Sequence, residues 1–294
     1  YYGPDGRLRS ATFESKTEAV NFANRVETQI TDGSWTDPEA AATPFGVYIA
    51  KFLETAEGWR PSTRLKVEGH IRNYIDPAFG EFPIGKIRPT DVREWVAALK
   101  KHGLAPGTVR AIYFSLSLLL KQAVVDGVVA RTPCVGIKLP QDVVQREMHF
   151  LDAEQVETLA DELSDRYRVL IFTAAYAGLR WGELAALKVK NLDLIKGTIT
   201  VTEAVAEVNG QLKEGPTKTG ATRTVALPMF LRQMLADHLA RYPSKRYVFT
   251  SAEGFQLRKN FYRRHFVPAV ARAQRVGARP ERRRHRSGRG SQIE

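Results

Sequence analysis

The chain has 294 residues, 43% of them hydrophobic and 26% charged, a balance that can bury two or three domain cores and is not that of a disordered chain. Its one cysteine, Cys134, permits no internal disulfide and excludes a multi-cysteine zinc site, so a reducing cytoplasm is the expected setting. The net charge of +12 suggests an acidic partner, yet residues 258–294 hold twelve Lys or Arg against two Glu, which leaves only +2 for the first 257 residues. No secretory signal is read at the start, and the longest apolar runs are broken too soon for a membrane span: Leu118 to Val125 contains Lys121, and Val169 to Ala177 is too short.

Residues Tyr1 to Ser15 carry strand signals around the turn Pro4-Asp5-Gly6. The chain opens on Tyr1 rather than Met, in what reads as mid-hairpin, so preceding sequence is expected. Lys16 to Thr31 then shows helical periodicity through Ala19, Phe22, Ala23, Val26 and Ile30, and Asp32-Gly33-Ser34 stops it. Four further helices are expected. Thr43 to Ala56 places Phe45, Tyr48, Ile49 and Phe52 on one face; Pro61 to Tyr74 starts at a proline suited to a first turn; Thr90 to Lys101 carries Val92, Trp95, Val96 and Leu99; and Pro106 to Asp126 carries Val109, Ile112, Tyr113, Leu116, Leu119, Leu120 and Ala123. Such stripes bury one another as a helical bundle, an architecture that by itself names no function.

From Gly127 to Arg146 the pattern lapses around Pro133, Gly136 and Pro140, as in an interdomain linker. Asp152 suits the N-cap of a helix to Leu163. Tyr167 to Ala177 is apolar enough for a buried helix, and Gly178 stands where a left-handed residue would end it. Arg180 follows that stop, and a short helix from Trp181 to Lys188 puts Leu184 and Leu187 inward with Glu183 three residues past Arg180. At that spacing an Arg and a Glu are ordinarily a surface ion pair, but a backbone fixed by a buried helix end could instead hold the arginine ready for a phosphate. Asn191 to Val208 gives a hairpin signal around Lys196-Gly197, Thr222 to Leu227 a third strand, and Pro228 to Arg241 and Leu257 to Ala273 two more helices.

Four of these stretches carry a resemblance. AGLRWGELAALKVKNLDL resembles the first catalytic box of the tyrosine recombinases, the phage integrase family, and GPTKTGATRTVALP, Gly215 to Pro228, resembles the strand, turn and strand that present that family's lysine. STRLKVEGHIRNYIDPAFGEFPIGKI followed by RPTDVREWVAAL is similar to its core-binding domain, and the hairpin and helix at the start resemble, more weakly, the end of its arm-type DNA-binding domain. The resemblance implies a mainly α protein with a small antiparallel β-sheet, in which a helical core-binding domain and an α+β catalytic domain follow a partial arm-type domain. The expected boundaries are 1–38 for the arm-type part, 39–130 for the core-binding domain, 131–147 for a linker, 148–275 for the catalytic domain and 276–294 for a basic tail.

By the same resemblance Arg180 would be the first catalytic arginine, Lys218 the catalytic lysine, and Glu183 a residue orienting Arg180 from behind. Lys66, His70, Arg72 and Arg110 would lie near DNA, contacting phosphate more than bases, although each could equally solvate an outer helix face. The implied partners are double-stranded DNA at attachment sites, further copies of the chain in a tetramer on synapsed DNA, and DNA-bending host factors, in the cytoplasm at the nucleoid and with no membrane. Neither a metal nor a cofactor is implied: the six histidines form no metal-ligand spacing, and no phosphate-binding glycine motif or Gly-x-Ser-x-Gly elbow is found. An arginine fork suits a phosphate, and a lysine can give a proton to the departing 5′ oxygen.

The sequence departs from the family beyond Lys218. A His-x-x-Arg box is not identified there, His285-Arg286 sits in a stretch without apolar periodicity, and no tyrosine follows Tyr262. The last residues therefore read as a shifted frame, a truncation or a disordered tail. Two functions are open: a site-specific recombinase with half of its active site missing from these 294 residues, and a DNA-binding decoy or regulator without catalysis.

Overall fold

The computed structural model describes residues 1–141, 150–254 and 256–277. The chain divides into two compact units, Tyr1–Arg146 and Glu147–Glu294.

In the first unit the expected opening strands reduce to a turn closed by one bridge, Tyr2 to Leu8. A lone two-stranded ribbon is marginal in water. This one is held by a forked ion pair of Arg9 to Asp5 and Asp37, with the guanidinium over the Trp35 ring. The helix α1 (Lys16–Thr31) follows, capped by the Ser15 hydroxyl, which accepts the Glu18 amide at 3.2 Å. After the short α2 (Pro38–Ala42) come the bundle helices α3 (Phe45–Thr55), α4 (Pro61–His70), α5 (Asp76–Phe79), α6 (Pro89–Lys101) and α7 (Pro106–Val125).

Their apolar faces meet in one core of Phe45, Ile49, Ile75, Ile84, Val92, Ile112, Leu116, Leu119 and Leu120. At 20 residues α7 is long and apolar enough to cross a bilayer, which the reading of short interrupted runs missed. Its residues Val109, Ile112, Leu116, Leu119, Leu120 and Ala123 are all fully buried in the bundle, as in the central helix of a packed domain. The helix expected to run to Tyr74 keeps regular pitch only to His70 and then widens into a π turn, Ile71–Ile75. Pro77 explains it: the ring has no amide to donate and crowds the carbonyl four residues back, so the Asp76 amide bonds Ile71 instead. The same device recurs before Pro268 in the second unit, where the π turn Tyr262–Phe266 precedes α12 (Val267–Gly277).

The described part of the expected linker, 127–141, has no helix or strand and is tied to the bundle. Val129 is buried, Ile137 and Leu139 pack on the core, and the Tyr113 hydroxyl donates to the Cys134 carbonyl at 3.1 Å.

The second unit starts with α8 (Ala153–Asp161), where Asp152 accepts the Gln155 amide at 2.8 Å and the Gln155 side chain accepts the Asp152 amide in return. There follow α9 (Asp165–Ala177), α10 (Trp181–Ala186), the strands β1 (Leu192–Asp193), β2 (Thr198–Val201), β3 (Glu203–Val208), β4 (Gln211–Pro216) and β5 (Arg223–Ala226), and α11 (Met229–Arg241). The sheet order is β1-β2-β5, all antiparallel, with β3-β4 as a separate ribbon turned by Asn209 and Gly210, both at positive φ. The strand, turn and strand expected over Gly215 to Pro228 is accordingly not a hairpin. β4 belongs to the ribbon and β5 pairs with β2, Thr198 opposite Ala226, so residues 217–222 cross from one sheet to the other. The core joins Leu170, Leu184, Ile199, Leu231, Leu235 and Phe249.

Candidate active site

The site is built on the end of α9. Val169, Leu170, Ile171 and Phe172 are buried, and Gly178, at φ 61° and ψ 32°, ends the helix in the left-handed region that a Cβ would disfavour. Leu179 is buried in turn, and the extended Arg180 becomes the N-cap residue of α10. Gly182 lets α10 lie directly on β3: a Cβ there would stand 2.7 Å from the Val205 carbonyl oxygen.

Glu183 is the pivot. Its side chain is 1% exposed, whereas that of Arg180 is 58% exposed. The carboxylate accepts the Arg180 backbone amide at 2.9 Å and one Arg180 guanidinium nitrogen at 3.2 Å. The Arg223 guanidinium, from the start of β5, donates to both carboxylate oxygens at 2.9 and 2.7 Å. These bonds from Arg223, reinforced by the Arg180 amide, outweigh burial and lower the Glu183 pKa from 4.5 to about 2, so the group is ionised throughout the neutral range. The arrangement is more than the surface ion pair that spacing alone allows. An arginine is held outward on a buried anion, with most of its donors unused by Glu183.

Lys218 is exposed on the loop between β4 and β5. That loop is anchored by the buried Thr217, whose hydroxyl donates to the Ala221 carbonyl at 2.9 Å while the Gly220 amide returns to the Thr217 carbonyl at 2.9 Å. Arg223 is five steps along the chain from Lys218, so their Cα atoms are at most roughly 18 Å apart. The ribbon that leads to the loop is braced where Lys188 pairs with Glu203 and with Glu214, at 3.0 Å for the latter, and where Arg246 and the Tyr247 hydroxyl also reach Glu214. Arg223 escaped sequence reasoning. It lies 40 residues from Glu183, and the only signal was the general demand of a buried carboxylate for a second cation.

The four basic residues expected near DNA fall into two pairs. Lys66 and Arg72 are exposed. His70 and Arg110 are instead engaged within the first unit, because each faces a polar group at the bundle edge. The Ser115 hydroxyl donates to the Ala111 carbonyl, so the His70 Nδ1 that lies 2.8 Å away must donate to Ser115, and burial together with Lys66 depresses the imidazole pKa. Arg110 donates to the Pro140 carbonyl at 2.8 Å.

The expectation that no His-x-x-Arg follows Lys218 needs correction, since His238-Leu239-Ala240-Arg241 spells it. On α11 its histidine belongs to the core and its arginine to the surface. His238 is 4% exposed and donates from Nε2 to the Val248 carbonyl at 3.0 Å, and burial lowers its pKa. Arg241 pairs with Asp165 at 2.8 Å, at the first residue of α9, about 18 Å along that helix from the end that carries Arg180. His285 and Arg286 lie outside the described residues. A cleft of about 980 Å³ in this unit, lined by Arg166, Tyr167, Arg258, Phe261, Arg264 and His265 among others, includes neither Arg180 nor Lys218. Those two stand on open surface.

Comparison with known proteins follows the same division. The phage integrase family matches residues 149–289, and the phage integrase N-terminal SAM-like domain matches residues 45–100. The chain belongs to the phage integrase family of tyrosine recombinases. It is 27% identical over 253 residues to the putative prophage phiRv2 integrase of Mycobacterium tuberculosis, covering 82% of this chain and 66% of that one. It is 26% identical over 293 residues to the integrase of Mycobacterium phage L5, covering 93% and 76%. The chain thus spans about two thirds of the length of the prophage relative. In fold it is similar to the Tn1549 transposon integrase in complex with transposon right end DNA, with a TM-score of 0.71 at 19% identity over 81% of each chain. A lambda integrase tetramer bound to a Holliday junction gives a TM-score of 0.61 at 15% identity, over 93% of this chain and 81% of that one. The integrase fold is mainly helical with small antiparallel sheets, as the resemblance implied.

Proposed function

We propose that the chain is a site-specific recombinase of integrase type that grips a DNA phosphate with Arg180, orients that arginine through Glu183, and offers Lys218 as proton donor to the leaving 5′ oxygen. The single observation that carries this reading is the Arg180 guanidinium, exposed to solvent yet fixed on a buried, ionised carboxylate. In strand transfer through a tyrosyl phosphodiester a P–O bond to tyrosine forms as the P–O5′ bond breaks, and negative charge gathers on the phosphate. A planar fork that remains charged stabilises that charge in place. Related proteins are integrases, and the similar solved structures hold DNA, which supports duplex DNA as the substrate and a tetramer on synapsed DNA as the working assembly. The exposed Lys66 and Arg72 would add phosphate contacts from the core-binding domain (39–130), and residues 1–38 would be the end of an arm-type domain. The setting would be the cytoplasm.

Within these 294 residues no tyrosine follows Tyr262, and in His238-Leu239-Ala240-Arg241 the histidine is buried on the Val248 carbonyl while the arginine meets Asp165 at the end of α9 far from Arg180. The chain alone is therefore proposed to bind duplex DNA without cutting it, which is also how a decoy or regulator would behave. The test incubates the chain with nicked duplex substrates from the ends of its element and looks for protein joined to a 3′ phosphate. No adduct is expected. An adduct would mean that a tyrosine already present is the nucleophile. With a segment supplying the second arginine and the tyrosine joined to the chain, Lys218→Ala slows cleavage, and a substrate with sulfur at the bridging 5′ position restores it because a thiolate leaves without a proton. Equal slowing of both substrates would remove Lys218 from that role.

A further inference from the structure

We propose that Arg223 is a positioning residue for Arg180, acting through Glu183, so that the phosphate grip depends on three side chains in series. The inference rests on the reading of Arg180 as a phosphate ligand and adds to it a group from strand β5. The geometry is directional. Glu183 has two carboxylate oxygens, and Arg223 holds both of them in a fork, fixing the plane of the carboxylate. Arg180 then uses the same two oxygens, with its backbone amide on one and its guanidinium on the other.

Without Arg223 the carboxylate could turn, and the Arg180 guanidinium, more than half exposed, would lose the only partner that orients it among those described. Register makes the arrangement firm. Arg223 sits opposite Val201 and Val225 opposite Ile199, with Val225 packed on the core, so a one-residue slip of β5 would turn both Arg223 and Val225 to the other face of the sheet. Arg223 also begins the strand that follows the loop bearing Lys218, so one guanidinium ties the two proposed catalytic elements together.

The test uses the full chain labelled with ¹⁵N at arginine, with inorganic phosphate as the probe and the Arg180 Nε–H resonance as the signal, assigned by its loss in Arg180→Lys. In the wild type that resonance should shift saturably with phosphate. In Arg223→Gln it should move toward the free-guanidinium position before any phosphate is added, and phosphate affinity should fall roughly fivefold, the net size of one ordinary hydrogen bond. Arg223→Lys keeps the charge but not the fork, and it should fold if Arg223→Gln does not, with an intermediate shift and affinity. An unchanged Arg180 resonance and phosphate affinity in either folded variant would overturn the positioning role. A wild-type resonance that ignores phosphate, yet still moves in Arg223→Gln, would uphold the positioning role and instead overturn the reading of Arg180 as a phosphate ligand.

Discussion

Glu183→Gln should destabilise the second unit in a manner that depends on pH. The folded-state pKa of Glu183 is lowered from 4.5 to about 2; its side chain is 1% exposed, but its partners Arg223 and Arg180 are 35% and 58% exposed, so solvent screening makes the full depression a ceiling. A depression of that size corresponds to about 3 kcal/mol in favour of the ionised form. Because the folded pKa is the lower one, this stabilisation is fully present above pH 4.5, falls to roughly half near pH 3, and is lost as pH drops through 2. Glutamine keeps the shape and cannot ionise. The gap between wild type and variant should thus be up to about 3 kcal/mol at pH 7 and close toward zero in acid. Hydrogen exchange of the peptides spanning 181–186 and 223–226, measured across a urea series at pH 7 and pH 3, reads the opening of this region without interference from the first unit. A gap under about 1 kcal/mol at pH 7, or one that does not change with pH, would show that the carboxylate is not held by the two arginines as described.

Other outcomes can be checked on the same material. Gly182→Ala should cost about 1–3 kcal/mol in the urea stability of the second unit, since the added Cβ would meet the Val205 carbonyl oxygen at 2.7 Å and α10 must lift from β3. Leu119→Ala, at a fully buried position of α7, should cost about 2–5 kcal/mol in the first unit, and a smaller loss would argue against a packed bundle core there. Deleting residues 276–294 removes six arginines and should flatten the dependence of duplex affinity on salt without abolishing binding, as mobility shifts at several salt concentrations would show. An unchanged slope would mean that the tail does not touch DNA.

What the sequence determined by itself was local. The periodic stripes of α1, α6 and α7 set those helices almost to the residue, because their apolar residues recur at the helical period. The stop at Gly178 and the cap at Asp152 were equally legible, since a left-handed glycine and a capping aspartate act on their own neighbours. Arg180, Glu183 and Lys218 were named from motifs carried within a few residues of each. Only the tertiary structure decided how they are held. The pairing of β5 with β2 rather than β4 is a contact between distant segments, and the period of two that marks both strands says nothing about partners. That pairing places Arg223 on Glu183 and turns a spacing of three residues into a buried, doubly gripped anion. The letters of His238-Leu239-Ala240-Arg241 make the converse point: they match a catalytic spelling, and burial of the histidine against the Val248 carbonyl gives them a structural use. Chemistry between residues far apart in the chain depends on which surfaces the core leaves open, and that is fixed only when the helices and strands of the second unit pack within it.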